Sequence, residues 1–375
     1  MVSLARKTLL HDKARFLSTV GAVAFAVSLI LVQIGLFLGV LGKASIPIER
    51  ARADIWVTSK KTPTIDFAHP FSENAVLRVR GVPGVARADN LIVTYAPIKL
   101  PTGAQENCLV YGLENFEEWN LPWLVEEGSV RELNRGLNIL MDRSATRRFG
   151  PFQVGDYREV VARRFKIIGV TREADSFSTV PILFMSYRNL QGLSELLDGN
   201  STYILVRLRP GADAGRVAEE IRRRLPYNDV YSRADWARQS RSYWVTTTGL
   251  GVQMGLTVFL GITVGVLTVA LTLYSSALEH VKEFATVKAI GGSSWEICRI
   301  IGEQAVIVGL SGYLVGLLLS ISLKSLIAKQ AGLGVTVSPH FAVTVLMWTV
   351  VLCLAAAMLS FRRLVRIDPM LVLRG

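Results

Sequence analysis

The chain has 375 residues, half of them apolar, and a formal net charge of +12. That length holds two or three domains, and so large an apolar share places much of the chain in lipid. The positive charge invites a nucleic-acid reading, but the basic residues flank apolar runs and dot a polar middle region without an RNA- or DNA-binding motif, which excludes nucleic acid as a partner.

Residues 1–17 carry Arg6, Lys7, Lys13 and Arg15 among Leu9, Leu10, Phe16 and Leu17. This pattern predicts a basic amphipathic helix on an anionic leaflet. Residues 18–42 are apolar and uncharged, a first transmembrane helix long enough for a bilayer core of ~30 Å. A signal peptide fits poorly, because the run exceeds a core of ~7–15 residues and no small-residue cleavage site follows. Gln33 inside this run predicts a hydrogen bond between helices, beside a small-xxx-small face of Gly35 and Gly39.

Residues 43–248 form a polar region large enough to bury its own core. Ile55–Val57, Ile92–Tyr95, Cys108–Tyr111, Phe165–Ile168 and Tyr203–Val206 read as short β-strands, rich in β-branched and aromatic residues and separated by Gly, Pro and Asn. Ala212 to Leu225 reads as an amphipathic helix with Val217, Ile221 and Leu225 on one stripe and the Arg222–Arg224 triplet on a solvated face. From Ala234 the pattern predicts a helix continuing without a strong break into the second apolar run, residues 249–278. With three cysteines in all, and only Cys108 in the polar region, no intradomain disulfide is available there.

Two further spans are predicted at 305–323 and 341–361, joined by a short loop at 324–340 and followed by a tail at 362–375. Gly251 with Gly255, Gly261 with Gly265, and Gly312 with Gly316 are small-xxx-small pairs, which let helices approach closely within a bundle or across a dimer. Between the second and third spans lies a polar island, residues 279–304. There Val281, Phe284 and Val287 recur at helical spacing, Gly291-Gly292 breaks the helix, and Ser293 with Glu296 forms a capping box that starts the next one. Arg362, Arg363 and Arg366 after the last span, with the basic residues before the first, place both termini in the cytoplasm. Four spans then put residues 43–248 outside and the island inside.

No G-x-x-x-x-G-K-[ST] loop, H-E-x-x-H, G-x-S-x-G or C-x-x-C occurs, and the four histidines are scattered. The expectation is therefore a non-catalytic chain with no metal site and no cofactor of its own. His280 reads as a polar contact.

The island carries a resemblance. Glu279-His280-Val281-Lys282-Glu283-Phe284-Ala285 and Lys288-Ala289-Ile290-Gly291-Gly292 resemble the E-R-x-R-E-I-G and R-A-[IV]-G-A segments of MacB/FtsX-like ABC transporter permeases, with Ala285 where the family usually has Gly. Glu303-Gln304-Ala305 sits where the family has a Glu-Ala pair, and Asp368–Arg374 resembles its D-P-x-x-A-L-R ending, with Val372 in place of Ala. Ala53–Val57, and the strand, helix and Asp229–Tyr231 that begin at Tyr203, resemble its porter-like ectodomain. The segment HDKARFLSTVGAVAFAVSLILVQIGLF is similar to the split, heterocyst-glycolipid-exporter (DevC-like) permeases.

The resemblance implies an α+β membrane protein of the bacterial inner membrane, with four transmembrane helices and a large mixed α/β extracytoplasmic (periplasmic) domain between the first two. It implies a homodimer that transmits motion from a separate ABC ATPase, which binds the ATP and Mg, and exports a lipid, glycolipid or other amphipathic substrate. A periplasmic adaptor and an outer-membrane channel would complete the pump. ATPase docking would fall on Glu283, Phe284, Lys288, Ile290, Gly291, Gly292 and Trp295. The same resemblance also admits a lipoprotein-releasing permease, or an FtsX-like regulatory signalling subunit, whose extracytoplasmic domain is generally smaller. A membrane-anchored enzyme is disfavoured by the missing catalytic constellation.

Overall fold

The computed structural model describes residues 13–174, 176, 180–279, 294–331 and 338–364. It divides into two compact units, Val40–Gly251 and a second made of Met1–Gly39 with Val252–Gly375. Its main helices are α1 (Lys13–Lys43), α2 (Ile46–Arg50), α3 (Ala75–Arg80), α4 (Ala214–Arg224), α5 (Arg233–Thr246), α6 (Leu250–Glu279), α7 (Ser294–Ala331) and α8 (Pro339–Leu364).

Four of these helices are long and apolar enough to cross a membrane, over Phe16–Lys43, Leu250–Leu267, Cys298–Ile327 and Pro339–Met358. A helix satisfies its own backbone hydrogen bonds, which lipid cannot do for it. In this unit Val23, Val27 and Leu31 of α1 share a buried cluster with Ile301, Ala305 and Val308 of α7 and with Val345, Cys353 and Ala356 of α8. Gln33 of α1 makes the expected contact between helices, its Nε2 lying 2.7 Å from Met254 Sδ on α6. The Tyr313 hydroxyl of α7 donates to the Ala342 carbonyl of α8 at 2.9 Å.

The basic start from Lys13 and the apolar run are one helix, α1. One boundary differs from the sequence reading. The loop expected from residue 324 is helical as far as Ala331. Lys324 to Lys329 contains good helix formers and neither Gly nor Pro, so two lysines end the apolar run without ending the helix.

The other unit is built on one large sheet. Its strands are β1 (Ile55–Ser59), β3 (Val85–Lys99), β4 (Gln105–Leu113), β5 (Val125–Glu127), β6 (Asn138–Asp142), β7 (Tyr157–Val160), β8 (Arg163–Thr171), β9 (Ile182–Ser186), β11 (Tyr203–Leu208) and β12 (Asn228–Ser232), while β2 (Phe71–Ser72) and β10 (Asn200–Ser201) pair separately. The order is β12-β1-β11-β3-β4-β9-β6-β8-β5, with β7 closing on β3 and β8. β4–β9 and β6–β8 are parallel, and the remaining pairs are antiparallel. The 15-residue β3 joins two halves. Its first half pairs with β11 and its second with β4, the two registers meeting at Leu91.

Side chains alternate between the faces of a strand, and here both faces are covered. One face is a continuous core in which Trp56, Leu91, Val93, Leu109, Tyr111, Phe184, Tyr203 and Leu205 meet Phe116, Trp119 and Trp236. The opposite face is divided. Ile55, Val57, Ile204 and Val206 pack under α3 and α4 through Val79, Val217 and Ile221, whereas Ile92, Val110, Ile139, Leu183 and Met185 form a second cluster with Phe149, Phe165 and Leu190. α4 starts where the Asp213 carboxylate accepts from Gly215 N at 2.8 Å, and its arginine triplet pairs with Glu219 and Glu220. Asp89 is buried but compensated, accepting from Arg80 and Arg87 and from Trp119 Nε1 at 2.9 Å.

Candidate coupling site and docking residues

The segments by which the chain enters and leaves the α/β unit are fastened to each other. Ser240, on α5 and fully buried, donates through Oγ to the Ala44 carbonyl at 2.8 Å and shares a 2.6 Å hydrogen bond with Thr64 Oγ1. One residue further on, Arg241 donates to Ser45 Oγ at 2.9 Å and pairs with Glu49. Ala44 and Ser45 directly follow the last residue of α1. α5 is capped by Ser232, whose Oγ accepts from Asp235 N at 3.2 Å. That cap fixes the start of the helix and so the phase at which Ser240 and Arg241 reach Ala44 to Glu49.

An aromatic stack carries the clasp into the sheet. Trp236, one turn before Ser240 and fully buried, stacks on Tyr231 at 5.2 Å and lies 6.1 Å from Tyr203, which in turn meets Trp56 edge-on at 5.9 Å. The Tyr203 hydroxyl donates to the Ile65 carbonyl at 3.0 Å. Burial first, and then the Asp66 carboxylate, push the Tyr203 phenol well above its ordinary pKa, so it remains a donor. Such a set of packed rings resists deformation better than isolated side chains do.

α5 does not run on into α6, contrary to the uninterrupted helix expected from Ala234. It ends at Thr246, and Gly249 takes φ +73° before α6 begins at Leu250. The left-handed region suits glycine and ends a helix.

Of the predicted docking residues, Glu283, Phe284, Lys288, Ile290, Gly291 and Gly292 lie outside the described residues. Trp295 is the second residue of α7 and is 75% exposed, with an Arg299–Glu303 ion pair at 3.3 Å on the following turn. The glycines separate by environment. A Cβ on Gly261 would lie 2.9 Å from Leu29 Cδ2, and one on Gly265 2.8 Å from Ala26 Cβ. On Gly312 it would lie 2.5 Å from Val23 Cγ1, and on Gly316 2.7 Å from the Ala24 carbonyl oxygen, so these four lie against α1. Gly255 faces open space, and a Cβ on Gly251 would meet the Val245 carbonyl of its own preceding segment. Among the described residues no group of three or more His, Cys, Asp or Glu is placed to hold a metal.

The clasp was not foreseen from the sequence. Ser240 and Ala44 are far apart along the chain, and neither residue type marks a contact by itself. The one available signal was a charge of each sign, Glu49 and Arg241, just inside the flanking apolar runs.

The profile of the MacB-like periplasmic core domain matches residues 16–224, and that of the FtsX-like permease C-terminal domain matches residues 255–369. An uncharacterized ABC transporter permease of Mycobacterium tuberculosis is 26% identical over 380 residues, covering 100% of both chains. A second from that organism is 25% identical over 375 residues, covering 98% of each. One from Methanocaldococcus jannaschii is 24% identical over 240 residues, 60% of this chain and 58% of its own. Among solved structures, the periplasmic region of MacB from Actinobacillus actinomycetemcomitans aligns with 51% of this chain and 94% of its own at 9% identity and a TM-score of 0.40. The extracellular domain of the transporter YknZ aligns with 48% of this chain and 99% of its own, at 14% identity and a TM-score of 0.37. The two profiles between them cover most of the first apolar helix, the α/β unit as far as residue 224 and most of the C-terminal helices, and the chain belongs to the MacB/FtsX-type ABC transporter permeases.

Proposed function

We propose that this permease works as a mechanical transmitter. A separate ABC ATPase docks on the 279–304 segment, and its closure on ATP moves the membrane helices of a homodimer. The extracytoplasmic domain follows and expels an amphipathic substrate such as a lipid or glycolipid, with a periplasmic adaptor and outer-membrane channel receiving it. The chain itself does not hydrolyse ATP. The phosphate-binding G-x-x-x-x-G-K-[ST] loop does not occur in the sequence, which supports hydrolysis by another chain.

The observation that carries the reading is the clasp between Ala44–Glu49 and Ser240–Arg241. The ends of a domain often lie close together, but here the two strands of attachment are bonded to each other through a buried hydroxyl and an ion pair. A domain driven by its membrane helices needs them joined, so that displacement of either becomes displacement of the whole sheet through Trp236 and Tyr203. The bend at Gly249 adds a requirement. Because α5 and α6 are not one lever, rigidity has to come from the clasp.

The test is a spin label at Tyr227→Cys, an exposed turn position, in the complex with its ATPase in nanodiscs. Double electron–electron resonance should give one distance between the two copies without nucleotide and another with ATP trapped. Ser240→Ala combined with Arg241→Ala should leave ATP hydrolysis in place and abolish or broaden the second distance. An unchanged distance in the wild-type complex on trapping ATP would remove the transmission reading, and absence of any dipolar coupling would remove the homodimer.

A further inference from the structure

Four rings gather on the surface of the α/β unit beside the clasp. Phe67 lies 6.0 Å from Tyr243, 5.9 Å from Trp244 and 6.5 Å from Tyr95, and Tyr243 meets Trp244 edge-on at 5.5 Å. Unlike the core rings of Trp56 and Trp236, which are fully buried, Phe67 is 40% and Tyr95 37% exposed, and Tyr243 and Trp244 are half-buried. The rings come from three separate stretches of chain. Phe67 is on the loop after β1, Tyr95 on β3, and Tyr243 and Trp244 on the last turn of α5. Packing of the sheet does not require this assembly, since the continuous core is filled without these four.

Chain connectivity decides what can cover such a surface. Trp244 precedes Leu250, the first residue of a membrane-crossing helix, by six positions. Six residues reach at most about 20 Å fully extended and about 9 Å as helix. The same helix is hydrogen-bonded through Ser240 and Arg241 to Ala44 and Ser45, the two residues after α1 ends at Lys43. The tether to the apolar helix is thus at most about 20 Å of chain, a reach that includes a headgroup layer about 5–8 Å thick on each side. The chemistry suits that layer. Tyr presents an apolar ring with a polar handle and, like Trp, concentrates at membrane–water interfaces, while Phe67 and the ring of Trp244, whose Nε1 is buried, supply the apolar part. Aromatic patches also anchor protein partners, but the short tether to a helix apolar enough to cross a membrane favours lipid here.

We propose that Phe67, Tyr95, Tyr243 and Trp244 form an aromatic foot that seats the α/β domain in the lipid headgroup layer. The foot rests on the reading that α1 and α6 cross the membrane, and it adds to that reading a fulcrum. The domain bears on the bilayer surface next to the point where its two attachments are clasped.

The test places a nitroxide at Phe67→Cys, and separately at Tyr95→Cys, in the full chain with Cys108, Cys298 and Cys353 replaced by alanine, reconstituted in nanodiscs of phosphatidylcholine and phosphatidylglycerol. Controls are Tyr227→Cys, which follows the helix covering the opposite face of the sheet and is 83% exposed, and Leu260→Cys, within α6 and 54% exposed. Power saturation should show accessibility to the water-soluble nickel reagent severalfold lower at positions 67 and 95 than at 227, with oxygen accessibility raised. The contrast should vanish when the bilayer is stripped with a short-chain detergent. Nickel accessibility at 67 and 95 equal to that at 227, with 260 still shielded, would overturn the foot alone and point to an aqueous protein-binding patch. Free nickel access at 260 would instead overturn the membrane-spanning reading itself. Low access to both reagents at 67 and 95, unchanged by detergent, would mean that protein rather than lipid covers the rings, and would also overturn the foot.

Discussion

Gly312 and Gly316 on α7 offer a test of how the membrane helices are held, because the consequence of adding one methyl group can be worked out atom by atom. A Cβ at Gly312 would lie 2.5 Å from Val23 Cγ1, 2.6 Å from Val23 Cβ and 3.3 Å from the Val20 carbonyl oxygen. One at Gly316 would lie 2.7 Å from the Ala24 carbonyl oxygen and 2.9 Å from Val27 Cβ. Carbon atoms in good contact sit about 3.5–4.0 Å apart, so α1 and α7 would have to part by roughly 1 Å. A backbone carbonyl cannot rotate away as a side chain can, so at Gly316 the helix itself must move. Overpacking of this kind costs about 1–3 kcal/mol per site, against a gain of about 1 kcal/mol for replacing Gly by Ala within a helix. The double variant Gly312→Ala, Gly316→Ala should thus be less stable by about 2 kcal/mol. Gly255→Ala should be neutral or slightly stabilising, since nothing lies within 4 Å of its Cβ position. Equilibrium unfolding of the full chain in mixed micelles of increasing SDS fraction would read all three. Equal stability of the double variant and Gly255→Ala would refute the close packing of α1 on α7.

Three other outcomes are expected. Ser240→Ala removes a buried donor to Ala44 and the partner of Thr64, a loss of about 1–3 kcal/mol. Amide hydrogen exchange over residues 44–50 and 236–246 should accelerate about 5- to 150-fold, and unchanged exchange would show that the clasp holds nothing. Burial raises the Cys108 thiol from 9.0 to about 12, so thiol reagents should modify it only on unfolding. Because the folded state keeps a proton that the unfolded chain releases, stability is full below pH 9 and falls as pH rises from there toward about 12. Buried Tyr111 and Tyr203, also raised, act in the same direction, and a flat stability between pH 8 and 10.5 would contradict this. Trp295→Ala should weaken ATPase association by about thirtyfold, the equivalent of ~2 kcal/mol for an aromatic anchor at ~1.4 kcal/mol per decade. Wild-type affinity in a normally inserted variant would remove Trp295 from the docking surface.

What the sequence made legible follows from how local each signal is. The apolar runs and the strands at Ile55, Cys108 and Tyr203 carry their pattern within a few residues, and the strands observed there contain the segments expected. The stripe of Val217, Ile221 and Leu225 is buried as the helical spacing requires. β3 was legible only in part. Residues 92–95 read as a short strand, but its N-terminal half, with Arg87, Asp89 and Asn90, is too polar to suggest one until Arg80 and Arg87 are seen to neutralise Asp89 and Trp119 to donate to it. β9 was missed because Ile182–Ser186 sits between Pro181 and a helical turn, and a run of four apolar residues does not by itself separate strand from helix. The glycine pairs announced close approach without naming the neighbour. Only the coordinates separate Gly312 and Gly316, pressed on α1, from Gly255, which faces open space.

The interruption at Gly249 is the most consequential difference, because it changes what the membrane helices can do to the domain. A continuous helix would carry rotation and translation alike from α6 into the sheet, and the clasp would be redundant. On the transmission reading, the non-helical stretch from Thr247 to Gly249 would be a joint that lets α6 pull on α5 but passes torque poorly. Ser240 and Arg241 lie on the domain side of that joint, where they bind the segment that follows α1 directly. On the proposed transmission reading, displacement brought in by either helix would be delivered to α5 with its buried Trp236. That arrangement makes an asymmetric prediction for the joint. Gly249→Ala, forced at φ +73°, strains the bend, and it should alter coupling between nucleotide and domain posture while leaving hydrogen exchange across the clasp unchanged.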